Sequence, residues 1–180
     1  PIDLAEALEE RYHPILHLLR QMAKPVVCAI NGTAAGAGLN IALACDFVLA
    51  AESAKFIQAF IRIGLVPDAG GTWTVPRLIG RARALRWMMS GEAIDAKTAE
   101  DWGLITAVHP DAELMNAARA LATQLAQAPT AALGRIKQLI DSAEQSDLGS
   151  QMSEEARQQR ICGQGPDFIE GVSAFIQKRP

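Results

Sequence analysis

Asn31-Gly32-Thr33-Ala34-Ala35-Gly36-Ala37-Gly38 lies between the apolar run Val26-Val27-Cys28-Ala29-Ile30 and the apolar segment Leu39-Asn40-Ile41-Ala42-Leu43-Ala44. The run suits a strand buried on both faces. Gly32, Gly36 and Gly38 then turn the chain into a short helix over 39–44. Small residues at such a turn let a ligand approach the main chain, so a backbone N–H can be aimed at an oxygen. Further on, Leu65-Val66-Pro67-Asp68-Ala69-Gly70-Gly71-Thr72 sets one carboxylate beside a second glycine turn. A backbone donor and a carboxylate together suffice to move a proton beside a carbonyl.

Phe47–Ala51 reads as the next strand and Lys55-Phe56-Ile57 as another. Upstream, Leu4, Leu8, Tyr12, Ile15, Leu19 and Met22 recur every three to four residues. That period predicts an amphipathic helix over 3–23, with Asp3 and Glu6 resembling a capping box. Pro14 should bend or break it, and Lys24-Pro25 should stop it. After Asp68 helical patterns dominate. Helices are expected over 72–79 and 82–89, with Ser90-Gly91 as a stop. Asp95 should cap 96–102, which Gly103 ends. Further helices are expected around 114–125, 133–140, 148–161 and 166–178. Strands followed by a helical tail describe an α/β or α+β protein.

The 180 residues can bury a proper core. A net charge of −3 with no basic block points away from nucleic acid as a partner. No apolar stretch approaches the length of a membrane span and no signal-peptide pattern opens the chain, so no membrane partner and a cytoplasmic location are expected. Cys28, Cys45 and Cys162 are scattered and odd in number, which suits buried or incidental thiols. His13 and His17 are four apart, a spacing that can hold zinc. Pro14 lies between them and no third ligand follows, so both read as surface or packing residues and no metal is expected. His109, before Pro110, has no nucleophile partner in view.

Two places in the sequence carry two readings each. Gly36-Ala37-Gly38 either presents an N–H to a ligand or packs a helix closely against a strand. Asp68 either carries a proton or caps a helix beginning at Thr72. For a proton carrier, the apolar neighbours Phe60, Ile63, Leu65 and Val66 would raise the pKa by desolvation, and the dipole of a helix starting near Gly70 would lower it.

The two glycine turns, with Ala44-Cys45-Asp46, Gly70-Gly71-Thr72, Trp102-Gly103-Leu104 and Glu170-Gly171-Val172-Ser173-Ala174-Phe175, resemble the enoyl-CoA hydratase/isomerase (crotonase) family from about Lys24 to the end. Within it the chain is most similar to the phenylacetate-pathway isomerases that act on a ring-epoxide/oxepin CoA thioester. The resemblance implies a crotonase-like spiral of ββα units over 1–110 and a C-terminal helical region over 111–180 that drives a homotrimer or hexamer. It implies an acyl-CoA thioester as substrate, CoA arriving as part of it, and no separate cofactor. The oxyanion donor falls on the N–H of Ala37, where other members often have glycine. Ala35, Gly36, Phe60 and Val66 fall among the substrate-binding positions, and Phe175 and Lys178 at the nucleotide end of a neighbour's CoA. Trp73, one turn from Asp68, reads either as core packing or as the wall of an aromatic acyl pocket.

The two glutamates of the family's hydratases fall on Asn40 and Phe60, neither of which titrates at neutral pH. An acid at Asp68 resembles the family's isomerases, in which one carboxylate moves a proton between carbons. That implies isomerisation of a 3-enoyl- or ring-epoxide CoA thioester. Alternatives are a hydratase, or a catalytically silent CoA-thioester binder or assembly protein. Family members carry a preceding region with the first strands and the second oxyanion N–H. The opening Pro1-Ile2-Asp3, without Met, fits a fragment, a processed chain or the ordered part of a longer one.

Overall fold

The computed structural model describes residues 3–179. These fold as two compact units, one of residues 3–21 with 26–123 and one of residues 22–25 with 124–179.

In the first unit the strands form two sheets. β1 (Val27–Ile30), β3 (Phe47–Ala51) and β6 (Ala107–His109) form one, in the order β1-β3-β6. β2 (Thr33–Ala35), β4 (Lys55–Ile57) and β5 (Ala93–Asp95) form the other, in the order β2-β4-β5. All pairings are parallel except β4 with β5. Each of the pairs β1–β2 and β3–β4 thus gives one strand to each sheet before a helix, which is the ββα spiral. α3 (Gly36–Leu43) follows β2; α4 (Gly71–Ile79) and α5 (Arg81–Ser90) follow β4; α6 (Ala96–Asp101) joins β5 to β6. Leu39, Phe56, Val75, Trp87 and Ile94 fill the core between these elements.

The first helix runs without a break as α1 (Leu4–Ala7), a π-helical stretch (Leu8–Tyr12) and α2 (His13–Gln21). Asp3 caps it by accepting from the N–H groups of Ala5 at 2.9 Å and Glu6 at 3.3 Å. The expected break at Pro14 does not occur. The His13 N–H reaches back to the Leu8 carbonyl, five residues away. The wider turn that results makes room for a ring that would clash with the carbonyl four residues before it.

β2, β5 and β6 were not expected from the sequence. Each is three residues long, too short to show the alternation that identifies a strand. α7 (Leu114–Gln127) begins in the first unit, where Leu114 and Ala118 pack on Leu49 and Ala51 of β3.

The second unit holds α8 (Thr130–Ala143), α9 (Leu148–Gly163) and α10 (Pro166–Gln177). Asp147 caps α9 through the Ser150 N–H at 2.9 Å. Gln151 donates to the Leu139 carbonyl at 2.9 Å, and buried Gln158 accepts from Arg135, tying α9 to α8. Gly134 on α8 lies against the backbone of Ala23, where a Cβ would stand 2.4 Å from the carbonyl oxygen. Mid-helix Gly→Ala usually gains up to about 1 kcal/mol. Here overpacking against rigid backbone, about 1–3 kcal/mol, outweighs that gain. Gly134→Ala is therefore expected to lower stability by about 1–2 kcal/mol, read from urea unfolding.

Candidate active site

β2 leads into α3 through Gly36, whose φ of +54° is a conformation that L side chains rarely adopt. The Phe60 ring closes on this glycine, with Cζ 3.6 Å from where a Cβ would be. Ala35, the N-cap, offers no side-chain acceptor to the helix. First-turn N–H groups have no partner within a helix, so the half-buried Ala37 presents a donor at the positive end of the α3 dipole. At this turn Phe60 also packs closely on Gly36.

After β4 a 3₁₀ turn (Ala59–Ile63) ends at Gly64, φ +72°. Leu65 and Val66 follow, exposed. The carbonyl of Asp68 then accepts twice, from the Gly71 N–H at 2.9 Å and from Asn40 Nδ2 at 2.8 Å. Ala69, buried, has φ +47°. A left-handed non-glycine costs roughly 1–2 kcal/mol and persists only where its surroundings impose it. Gly70, φ +74°, is the N-cap of α4 and no side chain caps that helix. The capping reading of Asp68 is therefore overturned: two successive left-handed residues carry its carboxylate away from the first turn of α4.

Oδ1 of Asp68 is buried and has no hydrogen-bond partner among the described residues. Burial pushes the Asp68 carboxyl above its ordinary value, opposed in smaller measure by its own backbone N–H and by the charge of His13. Desolvation is thus the largest influence on this carboxyl, in the direction the sequence had left open. His13, expected only on the surface or in packing, is half-buried on α2 and bears electrostatically on Asp68.

Asn40 is buried in α3, three residues after Ala37 and on the same helix face. Its Nδ2 holds the Asp68 carbonyl, and its Oδ1 accepts from Gln58 Nε2 at 2.7 Å. One turn of α3 therefore links the Ala37 donor to the Asp68 loop. Gly71 packs directly on this amide, since a Cβ there would stand 2.2 Å from Asn40 Nδ2. Gln58 and the coupling to His13 were missed from sequence; two amides inside the otherwise apolar segments 39–44 and 56–60 were the available signal.

Trp73 lies on α4 between two guanidinium groups, Arg20 at 4.9 Å and Arg77 at 4.1 Å from the ring centroid. It is half-buried, so one ring accommodates both cations without entering the core. Ala35, Gly36, Ala37, Phe60, Val66, Asp68 and Trp73 all belong to the first unit. Phe175, 85% exposed on α10, and Lys178, the residue that closes that helix with φ 52°, belong to the second. Among the described residues no three His, Cys, Asp or Glu side chains cluster as metal ligands, and no helix is long and apolar enough to cross a membrane.

The profile of the enoyl-CoA hydratase/isomerase family matches residues 3–180. The chain is 48% identical over 177 residues to an Escherichia coli (strain K12) protein named 1,2-epoxyphenylacetyl-CoA isomerase, covering 98% of this chain and 68% of that one. It is 46% identical over 179 residues to a Rhodobacter capsulatus protein named "Probable enoyl-CoA hydratase", covering 99% and 70%. The crystal structure of an enoyl-CoA hydratase from Polaromonas sp. JS666 superposes with a TM-score of 0.91 at 35% identity, covering 98% of this chain and 70% of that one. With the ββα spiral, the glycine turn into α3 and a match over nearly every residue, this chain is an enzyme of the enoyl-CoA hydratase/isomerase family, with the crotonase fold.

Proposed function

We propose that this chain is an acyl-CoA isomerase in which Asp68 carries the proton. The ionised carboxylate takes a proton from a carbon in conjugation with the thioester carbonyl. Negative charge moves to the thioester oxygen, where the Ala37 N–H holds it, and the same carboxyl returns the proton to another carbon. One group suffices because the proton leaves and re-enters one conjugated anion. The observation that carries this reading is the buried, unpartnered Oδ1 of Asp68 on a loop tied to the helix that presents Ala37.

The substrate is a 3-enoyl-CoA or a ring-epoxide/oxepin CoA thioester, a choice supported by the name of the 48% identical relative. The 46% identical relative is named for hydration instead, which keeps hydration as the second reading. Asn40 and Phe60 speak against it, since neither can activate water or protonate carbon. The reaction draws on no metal or separate cofactor. The test is to incubate the protein with a trans-3-enoyl-CoA carrying deuterium at the α-carbon, following the 2-enoyl product and arrival of the label at the γ-carbon. No product from either substrate class, or product from an enzyme whose Asp68 has been replaced by Asn, would overturn the reading.

Because burial raises the Asp68 pKa, the acid limb of the kcat/KM profile should lie above the ordinary value of 3.8. Activity should fall as pH drops through that limb, since the base is then protonated. A limb at or below 3.8 would mean that burial does not act on the working carboxylate.

Phe168, Ile169, Val172, Phe175 and Ile176 are exposed along α10. Their covering in a homotrimer or hexamer is part of this proposal, with Phe175 and Lys178 meeting the nucleotide end of a neighbour's CoA. Light scattering at micromolar concentration should give a multiple of three; a monomer would exclude it.

A further inference from the structure

We propose that Asn40 and Gln58 are positioning residues that hold Asp68 in register for proton transfer, an inference that rests on Asp68 being the proton carrier. The two amides are as buried as the leucines around them, at 1% and 0% exposed. An amide removed from water is unfavourable unless its atoms find partners, which both polar atoms of Asn40 do while Gln58 Oε1 finds none among the described residues. These two are aligned in one direction. Gln58 Nε2 donates to Asn40 Oδ1 at 2.7 Å, and Asn40 Nδ2 donates to the Asp68 carbonyl at 2.8 Å. The chain of donors ends on the main chain of the residue proposed to carry the proton.

Its effect there follows from the local backbone. The Asp68 carbonyl already accepts from the Gly71 N–H at 2.9 Å, so Asn40 fills its second lone pair. The next residue, Ala69, is held at φ +47°. Release of the carbonyl would let that peptide rotate toward a commoner conformation, and the carboxylate would swing with it. Asn40 lies one turn after Ala37, so one short helix carries both the oxyanion donor and the amide that holds the Asp68 carbonyl. A shift of about 1 Å in such a pair can lower a rate about 10²-fold.

Asn40→Leu keeps roughly the side-chain size and removes both hydrogen bonds. In the full-length protein acting on a trans-3-enoyl-CoA, kcat should fall about 10–100-fold while KM stays within about threefold. The acid limb should move down toward the ordinary carboxylate range, because a released loop lets water reach Asp68. His13, on α2, bears on Asp68, and Arg20 and Arg77 flank Trp73 nearby; none is altered. Gln58→Leu should move both readouts the same way by a smaller amount, about 3–10-fold in kcat. The double variant should be no slower than Asn40→Leu alone, since Gln58 acts through Asn40.

If both single variants keep kcat within about twofold and the limb stays in place, the amides only pack and the inference fails. Additive losses in the double variant would also overturn it. Should Asn40→Leu not fold, Gln58→Leu carries the same two readouts. Asp68→Asn in the same series separates the two levels. If it keeps its turnover, the proton-carrier reading fails and this inference with it. If it loses turnover while Asn40→Leu keeps it, only the positioning role is lost.

Discussion

Replacing Asp68 with Asn is expected to lower isomerisation of a trans-3-enoyl-CoA by about 10²–10⁴-fold, the usual contribution of a positioned general base. Exchange of the α-proton with deuterated solvent should fall in parallel. Stability should not fall with it. Asp68 does not cap α4, and its Oδ1 has no hydrogen-bond partner to lose among the described residues. The linkage sign points the same way. A carboxyl with a pKa raised in the folded state contributes stability below its unfolded pKa and loses it as pH rises through the folded pKa. At neutral pH the ionised group is therefore unfavourable to folding, and Asn removes that penalty. The midpoint of urea unfolding at pH 7 should stay level or rise. Near-normal turnover with an unchanged midpoint would place the proton carrier elsewhere.

Hydration of crotonyl-CoA is the second large expected effect, in this case a near absence. Adding water across the double bond needs one group to activate water and one to protonate carbon, each worth about 10²–10⁴-fold. Of the two family positions for these groups, Phe60 is an apolar ring packed on Gly36. Asn40 has both polar atoms of its amide committed, to Gln58 and to the Asp68 carbonyl. Against a median enzyme turnover of about 10 per second, hydration should run below about 0.1 per second. Steady-state absorbance at the enoyl thioester band measures it directly. Turnover near the median would mean that Asp68 alone activates water, and the hydratase reading would replace isomerisation.

The relation between Asn40 and Asp68 shows why the sequence carried the site only so far. From the letters Asn40 is a residue that fails to be an acid; in the fold it is a donor fixed on the main chain of one. Nothing in a one-dimensional pattern reports that a side chain at position 40 meets a carbonyl at position 68, because the two are brought together only when α3 packs beside α4.

The sequence by itself determined the order of the main elements, the glycine turn that leads into a short helix and the lone acid at Asp68. It could do so because each depends on local properties: apolar period, the conformational freedom of glycine and the chemistry of a side chain. Only the tertiary structure decided the rest. It showed that Pro14 is absorbed by a π-helical turn, that 33–35, 93–95 and 107–109 pair as strands, and that Asp68 is no cap. The dominance of burial at Asp68 belongs to the same class, as does the alignment of Gln58 and Asn40 behind it. These depend on which groups meet across long stretches of chain and on how much water they leave outside. Burial and long-range hydrogen bonding exist only once the chain has folded.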